Sequence, residues 1–185
     1  TLGTGVGGGV VLDGKMLTGY TGAASELGHM VIRAGGEECT CGRRGCFEAY
    51  ASATALIRET KRAMAAHPES RMHAAAEENG AVDGRTAFIA AQRGDAAAQA
   101  VVDRYLDDLA CGVANIVNIF FPEVIGLSGG VANQGENLLK PLRAAVEPMV
   151  FGHDFAQKHT RITACTLGYR AGVIGAALLA KSRME

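Results

Sequence analysis

Tryptophan is absent from the chain, neither sign of charge prevails, and no run of apolar residues is long. Each lack closes a class of function. The 18 basic and 19 acidic residues leave a net charge of −1 and form no basic run, so the electrostatic footprint of a nucleic-acid surface is missing. No stretch reaches the roughly 20 apolar residues of a membrane-spanning helix, and the first residues do not read as a signal peptide. A cytoplasmic, reducing location is expected, with no membrane and no nucleic acid as partner. An initiator methionine is missing too. Thr1-Leu2-Gly3 enters a glycine loop at once, as if cut inside a strand, so the chain is expected to be a fragment. Repeats, low-complexity tracts and linkers are also absent. What remains is 185 residues, 48% of them hydrophobic, enough to bury the core of one domain or one large lobe.

Glycine is plentiful, at 25 residues, which points to tight backbone turns. The chemistry is concentrated in residues 26–48, which run Glu26-Leu27-Gly28-His29, a spacer, and then Cys39-Thr40-Cys41-Gly42-Arg43-Arg44-Gly45-Cys46-Phe47-Glu48. Three thiols and an imidazole are the ligand set of a closed tetrahedral zinc site. Cys39 and Cys41 lie two apart, so the chain between them turns tightly. Gly42 and Gly45 supply the freedom in φ that brings Cys46 back to the same metal. The alternatives are a disulfide, which leaves one of the three cysteines unpaired, or three buried thiols. His29 follows Glu26 at i+3, and its two ring nitrogens let one bind zinc while the other faces a ligand. Four protein ligands leave no open position for water, so such a zinc is structural.

Earlier in the chain, Gly3-x-Gly5-x-x-Gly8 imitates a dinucleotide fingerprint. It leads into β-branched residues and an Asp13-Gly14 hairpin turn rather than a helix. A Walker A loop fails for want of Gly-Lys-Ser/Thr. A hairpin rich in backbone N–H groups can still cradle phosphate oxygens; a plain tight turn is the other reading. A short strand is expected over 30–33 and a helix capped by Ser52. A polar surface excursion should follow over 67–85. Asp95 caps the best helix, with Val102, Leu106, Leu109, Val113, Ile116, Val117 and Phe120 on one stripe and Pro122 as its stop. Asp103, Asp107 and Asp108 are expected on its solvated face, and Cys111 beside the stripe. Residues 124–127 read as a short buried strand ending in Gly129-Gly130, a position where ligands meet α/β sheets. Pro141 interrupts or starts a helix between residues 133 and 147. A last strand over 161–167 should carry a packed Cys165, and an apolar helix over 171–180 closes the chain.

Glu-x-Gly-His followed by Cys-x-Cys-Gly-x-x-Gly-Cys-x-Glu resembles the signature of the ROK family (repressors, open reading frames and sugar kinases), whose kinase members resemble bacterial glucokinase. The resemblance runs from the glycine loop to the final helix. It implies an α/β, ribonuclease-H-like lobe of the actin-like/hexokinase superfamily with a zinc-binding loop, residues 1–185 being the C-terminal larger lobe and the N-terminal lobe being absent. It implies sugar contacts from Glu26, His29 and Glu48, and zinc held by His29, Cys39, Cys41 and Cys46. ATP, with Mg²⁺, would lie against Gly3, Thr4, Gly5, Gly7, Gly8, Gly129 and Gly130. The reaction implied is transfer of the γ-phosphoryl group of ATP to a hexose, foremost the 6-OH of glucose, with N-acetylmannosamine, fructose and allose left open. The family's general base is an aspartate upstream of residue 1, so no catalytic base is expected here and the chain alone should be inactive. A homo-oligomer is expected, and the last helix should pack back against the first lobe. Two rivals stand beside the kinase. One is the sugar-sensing lobe of a ROK transcriptional repressor, which has no need of an intact glycine loop. The other is a zinc-stapled binding module, which has no need of Glu26 and Glu48.

Overall fold

The computed structural model describes residues 1–182. Its spine is the helix expected after Asp95, α5 (Ala96–Phe120), whose first turn is capped by the Asp95 carboxylate accepting from the Ala98 N–H at 2.8 Å. The same carboxylate accepts from Ser70 Oγ and the Arg71 N–H, which pins the preceding helices to the start of α5. Val102, Leu106, Leu109, Val113 and Val117 are buried as their spacing requires. Proline disfavours helical geometry in the residue before it; Phe121 turns left-handed (φ 41°) ahead of Pro122, and the helix ends.

Short helices pack around this spine. Helices α1 (Glu48–Ala51) and α2 (Ala53–Ala66) meet at Ser52, whose side chain caps α2 by accepting from the Ala55 N–H. Tyr105 on α5 donates its hydroxyl to the Ala51 carbonyl at 2.8 Å, which fixes the α1–α2 corner against the core. The expected surface excursion contains a helix instead. In α3 (Met72–Asn79), Met72 and Ala75 are fully buried, and α4 (Thr86–Gln92) follows. Two buried residues a turn apart are too few for the 3.6-residue pattern to show in so polar a sequence.

Two small sheets complete the fold. Strands β1 (Val11–Leu12) and β2 (Lys15–Met16) form the expected hairpin, with Asp13 and Gly14 both at positive φ. Strands β3 (Val124–Leu127) and β4 (Arg161–Ala164) are parallel, Val124 facing Arg161 and Leu127 facing Ala164. Between them α6 (Glu136–Val146) crosses over, and it runs through Pro141 because Leu138, Leu139 and Leu142 anchor that turn in the core. The expectation of a short buried strand here is corrected: only Leu127 of β3 is buried and Val124 is 43% exposed. Among the described residues β3 has a partner on one edge alone. Cys165, expected to pack, is exposed. Helix α7 (Ala171–Ser182) follows, with Val173, Ile174, Leu178 and Leu179 turned outward.

Asp108 overturns the expectation of a solvated α5 face. It is 8% exposed and pairs with the guanidinium of Arg33 at 2.5 Å, 75 residues away in the chain. Arg33 also lies over the Tyr50 ring, 4.9 Å from its centroid. This joint fastens the base of the cysteine loop to the spine. Burial pushes the Asp108 carboxyl above its ordinary value of 3.8, against the pull of Arg33. A raised carboxyl pKa means that folding favours the protonated form, so its contribution is complete below the unfolded value and lost as pH rises through the folded one. The Asp108→Asn variant, which stays neutral, should therefore gain in stability relative to the parent as pH rises above the ordinary carboxyl value of 3.8 and through the raised folded one. Parallel denaturant titrations across that range measure it; a stability difference that stays flat with pH would show that the carboxyl does not titrate abnormally.

Candidate functional site

The cysteine loop is built almost wholly from turns. The chain over 30–33 is not the expected strand; only Val31 pairs, in a single bridge with Cys46. Cys39 donates its N–H to the Arg43 carbonyl and accepts on its own carbonyl from Gly42, which closes the turn between the thiols. Gly45 sits at φ 84°, and a Cβ there would collide with the Arg33 carbonyl, so no side chain fits. These turns place one ligand atom from each of His29, Cys39, Cys41 and Cys46 within 4.8 Å of the others. Cys39 Sγ lies 3.6 Å from His29 Nδ1, and Cys41 Sγ lies 3.7 Å from Cys46 Sγ. A tetrahedral centre with Zn–S near 2.3 Å and Zn–N near 2.0 Å sets its donors about 3.5–3.8 Å apart, so both pairs match its edges. All three thiols are free, and the disulfide alternative is not realised.

The electrostatics of the loop fit a cation. The Arg43 backbone N–H, and then the neighbouring thiols, hold the Cys41 thiol down at about 7, whereas burial pushes Cys46 up to about 11. A bound dication supplies the positive charge that lets all three sulfurs be thiolates. Arg43 also donates to the His29 carbonyl and approaches Cys46 Sγ at 4.0 Å, which cross-braces the loop.

The turn that carries Glu26 and His29 lies on the glycine loop. Leu27–His29 is one turn of 3-10 helix, and a Cβ on Gly28 would overlap the Val6 carbonyl, so the two backbones touch. Leu27 covers Gly8. The glycine loop is held by its carbonyls: Gly3 accepts from the Ala53 N–H and Thr4 from Thr54 Oγ, each at 2.8 Å. Among the described residues the N–H groups of Thr4, Gly5 and Gly8 find no acceptor. Gly129, at φ 93°, approaches the Leu2 backbone, and Val131 donates to the Leu2 carbonyl. The two glycine segments, far apart in the sequence, thus stand side by side.

Of the expected site residues, Glu26 is exposed and its side chain accepts no hydrogen bond among the described residues, while Glu48 is half-buried and engaged. Glu48 Oε2 accepts from the Val6 N–H and Oε1 from Thr40 Oγ, both at 2.9 Å, with Cys39 Sγ 3.8 Å from Oε1. Thr40, Arg43 and Thr54 were not singled out by the sequence. Thr40 stands between two cysteines, a position whose motif specifies no residue type.

An α/β lobe with a closed three-cysteine, one-histidine loop braced on a glycine loop defines a narrow class. The ROK family profile matches residues 1–183, and the chain belongs to that family. It is 40% identical over 184 residues to the glucokinase of Thermotoga maritima, covering 100% of this chain and 57% of that protein. The structure of a ROK family glucokinase from Streptomyces griseus in complex with glucose and AMPPNP superimposes with a TM-score of 0.87 at 33% identity, over 98% of this chain and 59% of that one. The ROK hexokinase of Thermus thermophilus gives 0.78 at 34%, over 100% of this chain and 57% of that one. The chain thus spans little more than half the length of the relatives it matches. No helix among the described residues is long and apolar enough to cross a membrane.

Purified protein should carry about one zinc per chain, and Cys46→Ser should lose it along with the order of the surrounding loop, because metal binding here is folding free energy. Metal analysis with limited proteolysis tests both; full zinc occupancy in Cys46→Ser would remove Cys46 from the ligand set.

Proposed function

We propose that the chain is the sugar- and nucleotide-binding lobe of an ATP-dependent hexose kinase, with glucose as the acceptor, and that residues 1–185 form the C-terminal larger lobe of a ribonuclease-H-like pair. The observation that carries this reading is the backbone contact between the Glu26–His29 turn and the glycine loop at Gly28 and Val6. It brings the turn that carries Glu26, whose carboxylate accepts no hydrogen bond among the described residues, onto the loop whose Thr4, Gly5 and Gly8 amides find no acceptor, the two chemistries that a sugar hydroxyl and a phosphate require. The glucose and AMPPNP bound by the Streptomyces relative lend support.

Phosphoryl transfer demands positioning and neutralisation of charge more than covalent chemistry. Glu26 and Glu48 accept from sugar hydroxyls, and His29, oriented through its metal-facing nitrogen, offers the other nitrogen to the sugar. The unpaired amides of Thr4, Gly5 and Gly8 receive phosphate oxygens, Gly3 and Gly7 shape that loop without side chains, and Gly129 and Gly130 lie against the nucleotide. Mg²⁺ accompanies the ATP. Zinc supplies no reactive group; it holds the loop. The aspartate base lies outside these residues, which makes this lobe inactive by itself. The enzyme works in the cytoplasm as a homo-oligomer.

Glu26→Gln in the full-length protein is the cleanest test, because the Glu26 side chain makes no hydrogen bond among the described residues and its backbone contact to His29 is kept. Loss of a charged hydrogen bond to the sugar should raise the glucose KM about ten- to a hundred-fold and leave the ATP KM within about two-fold. Equal rises in both constants, or no glucose phosphorylation by the parent, would defeat the assignment.

A further inference from the structure

Glu48 does more than face a sugar. A carboxylate has about four acceptor positions, and the structure engages both oxygens: the Val6 N–H of the glycine loop on Oε2 and the Thr40 hydroxyl of the cysteine loop on Oε1, both at 2.9 Å, with the Cys39 sulfur a longer 3.8 Å from Oε1. Val6 is 9% exposed, so its amide has little access to water if that acceptor moves. Gly5 has no room for a Cβ, because the Glu48 carboxylate occupies the place. Thr40 stands between the ligands Cys39 and Cys41, and its position follows theirs.

We propose that Thr40 is a positioning residue: with the Val6 amide it clamps the Glu48 carboxylate, and through this clamp the metal-bound cysteine loop sets the shape of the glycine loop. The order of the loop is then transmitted from the metal to Thr40, from Thr40 to Glu48, and from Glu48 to the backbone at Val6. The Cys39 sulfur also approaches Oε1, at 3.8 Å, so the acceptor capacity left on Glu48 for a sugar hydroxyl is held in place before substrate arrives. The kinetic consequence rests on the hexose-kinase reading given above, but the clamp itself does not.

The test compares Thr40→Val, which keeps the shape and removes the hydroxyl, with Thr40→Ser, which keeps the hydroxyl, in the full-length protein. Zinc content, amide exchange at Val6, and the KM values for ATP and glucose are measured on each. Thr40→Val should retain its zinc, speed Val6 exchange about two- to ten-fold and raise the ATP KM by a similar factor; Thr40→Ser should restore both. Stripping zinc from the parent should speed Val6 exchange at least as much, and stripping it from Thr40→Val should add little, since the two changes break one linkage. Unchanged Val6 exchange in zinc-loaded Thr40→Val overturns the clamp. Should Thr40→Val lose zinc, the parent decides: Val6 exchange that ignores metal removal overturns the proposal, and exchange that responds, with Thr40→Ser behaving as parent, sustains it. A protein that phosphorylates no hexose would defeat the kinase reading and leave the Val6 result standing by itself.

Discussion

Between residues 26 and 47 the backbone makes no ladder longer than an isolated pair, Val31 with Cys46 and Glu38 with Arg44. The constraint that holds this segment is the convergence of four donor atoms within 4.8 Å. Burial drives the Cys46 thiol up to about 11, and a cation among these donors would supply the charge that favours its ionised form. With zinc in the cluster, metal, deprotonation and loop geometry would be one linked equilibrium. Around the thiols themselves, apolar packing supplies a small buried cluster of Cys39, Cys46 and Ala49 with Tyr50 against it, while Met30, Ile32 and Phe47 at the ends of the segment pack on the main core.

Everything that the site needs hangs from that loop. Its base is tied to α5 by Arg33 and Asp108, its first arm lies on the glycine loop at Gly28, and its far end leads through Phe47, buried at 2%, into α1. Glu48 opens that helix, so the helix axis, the metal loop and the glycine loop all bear on the direction of one carboxylate. Preorganisation of this kind costs nothing at the moment of binding, because folding has already ordered the groups. The glycine loop needs such support: Leu2 and Val6 pack into the core, but its glycines have no side chains to pack, and the stretch between is secured by the Gly3 and Thr4 carbonyls bonded to the start of α2.

Much of this was legible in the residue order. Asp95 and Ser52 cap the helices they were expected to cap, and the Asp13-Gly14 turn joins the hairpin it was expected to join. Such features are local, and their geometry lies within four residues of sequence. Apart from the strand expected over 30–33, which is a single bridge, the misreadings concern which distant neighbours are present. Asp108 looks solvated on a helix wheel and is buried by an arginine 75 residues away, and Met72 is buried inside a polar stretch by helices on either side. Val124 and Cys165 look buried by hydropathy and are exposed, because hydropathy carries no information about which neighbours are present.

The sequence by itself determined the donor set: three thiols and one imidazole at spacings that only a tight turn can reconcile, with glycines where the turn must pass through positive φ. It also determined the bare glycine loop and the two carboxylates. Only the tertiary structure decided what those carboxylates do. Glu26 is left open to solvent, whereas Glu48 meets the Val6 amide 42 residues away and Thr40 on its other oxygen. Chain spacing specifies which groups can share a metal, since few residues separate them. The partner of a carboxylate depends on how two loops are brought together by the helix beneath them, and that is a property of the packed core.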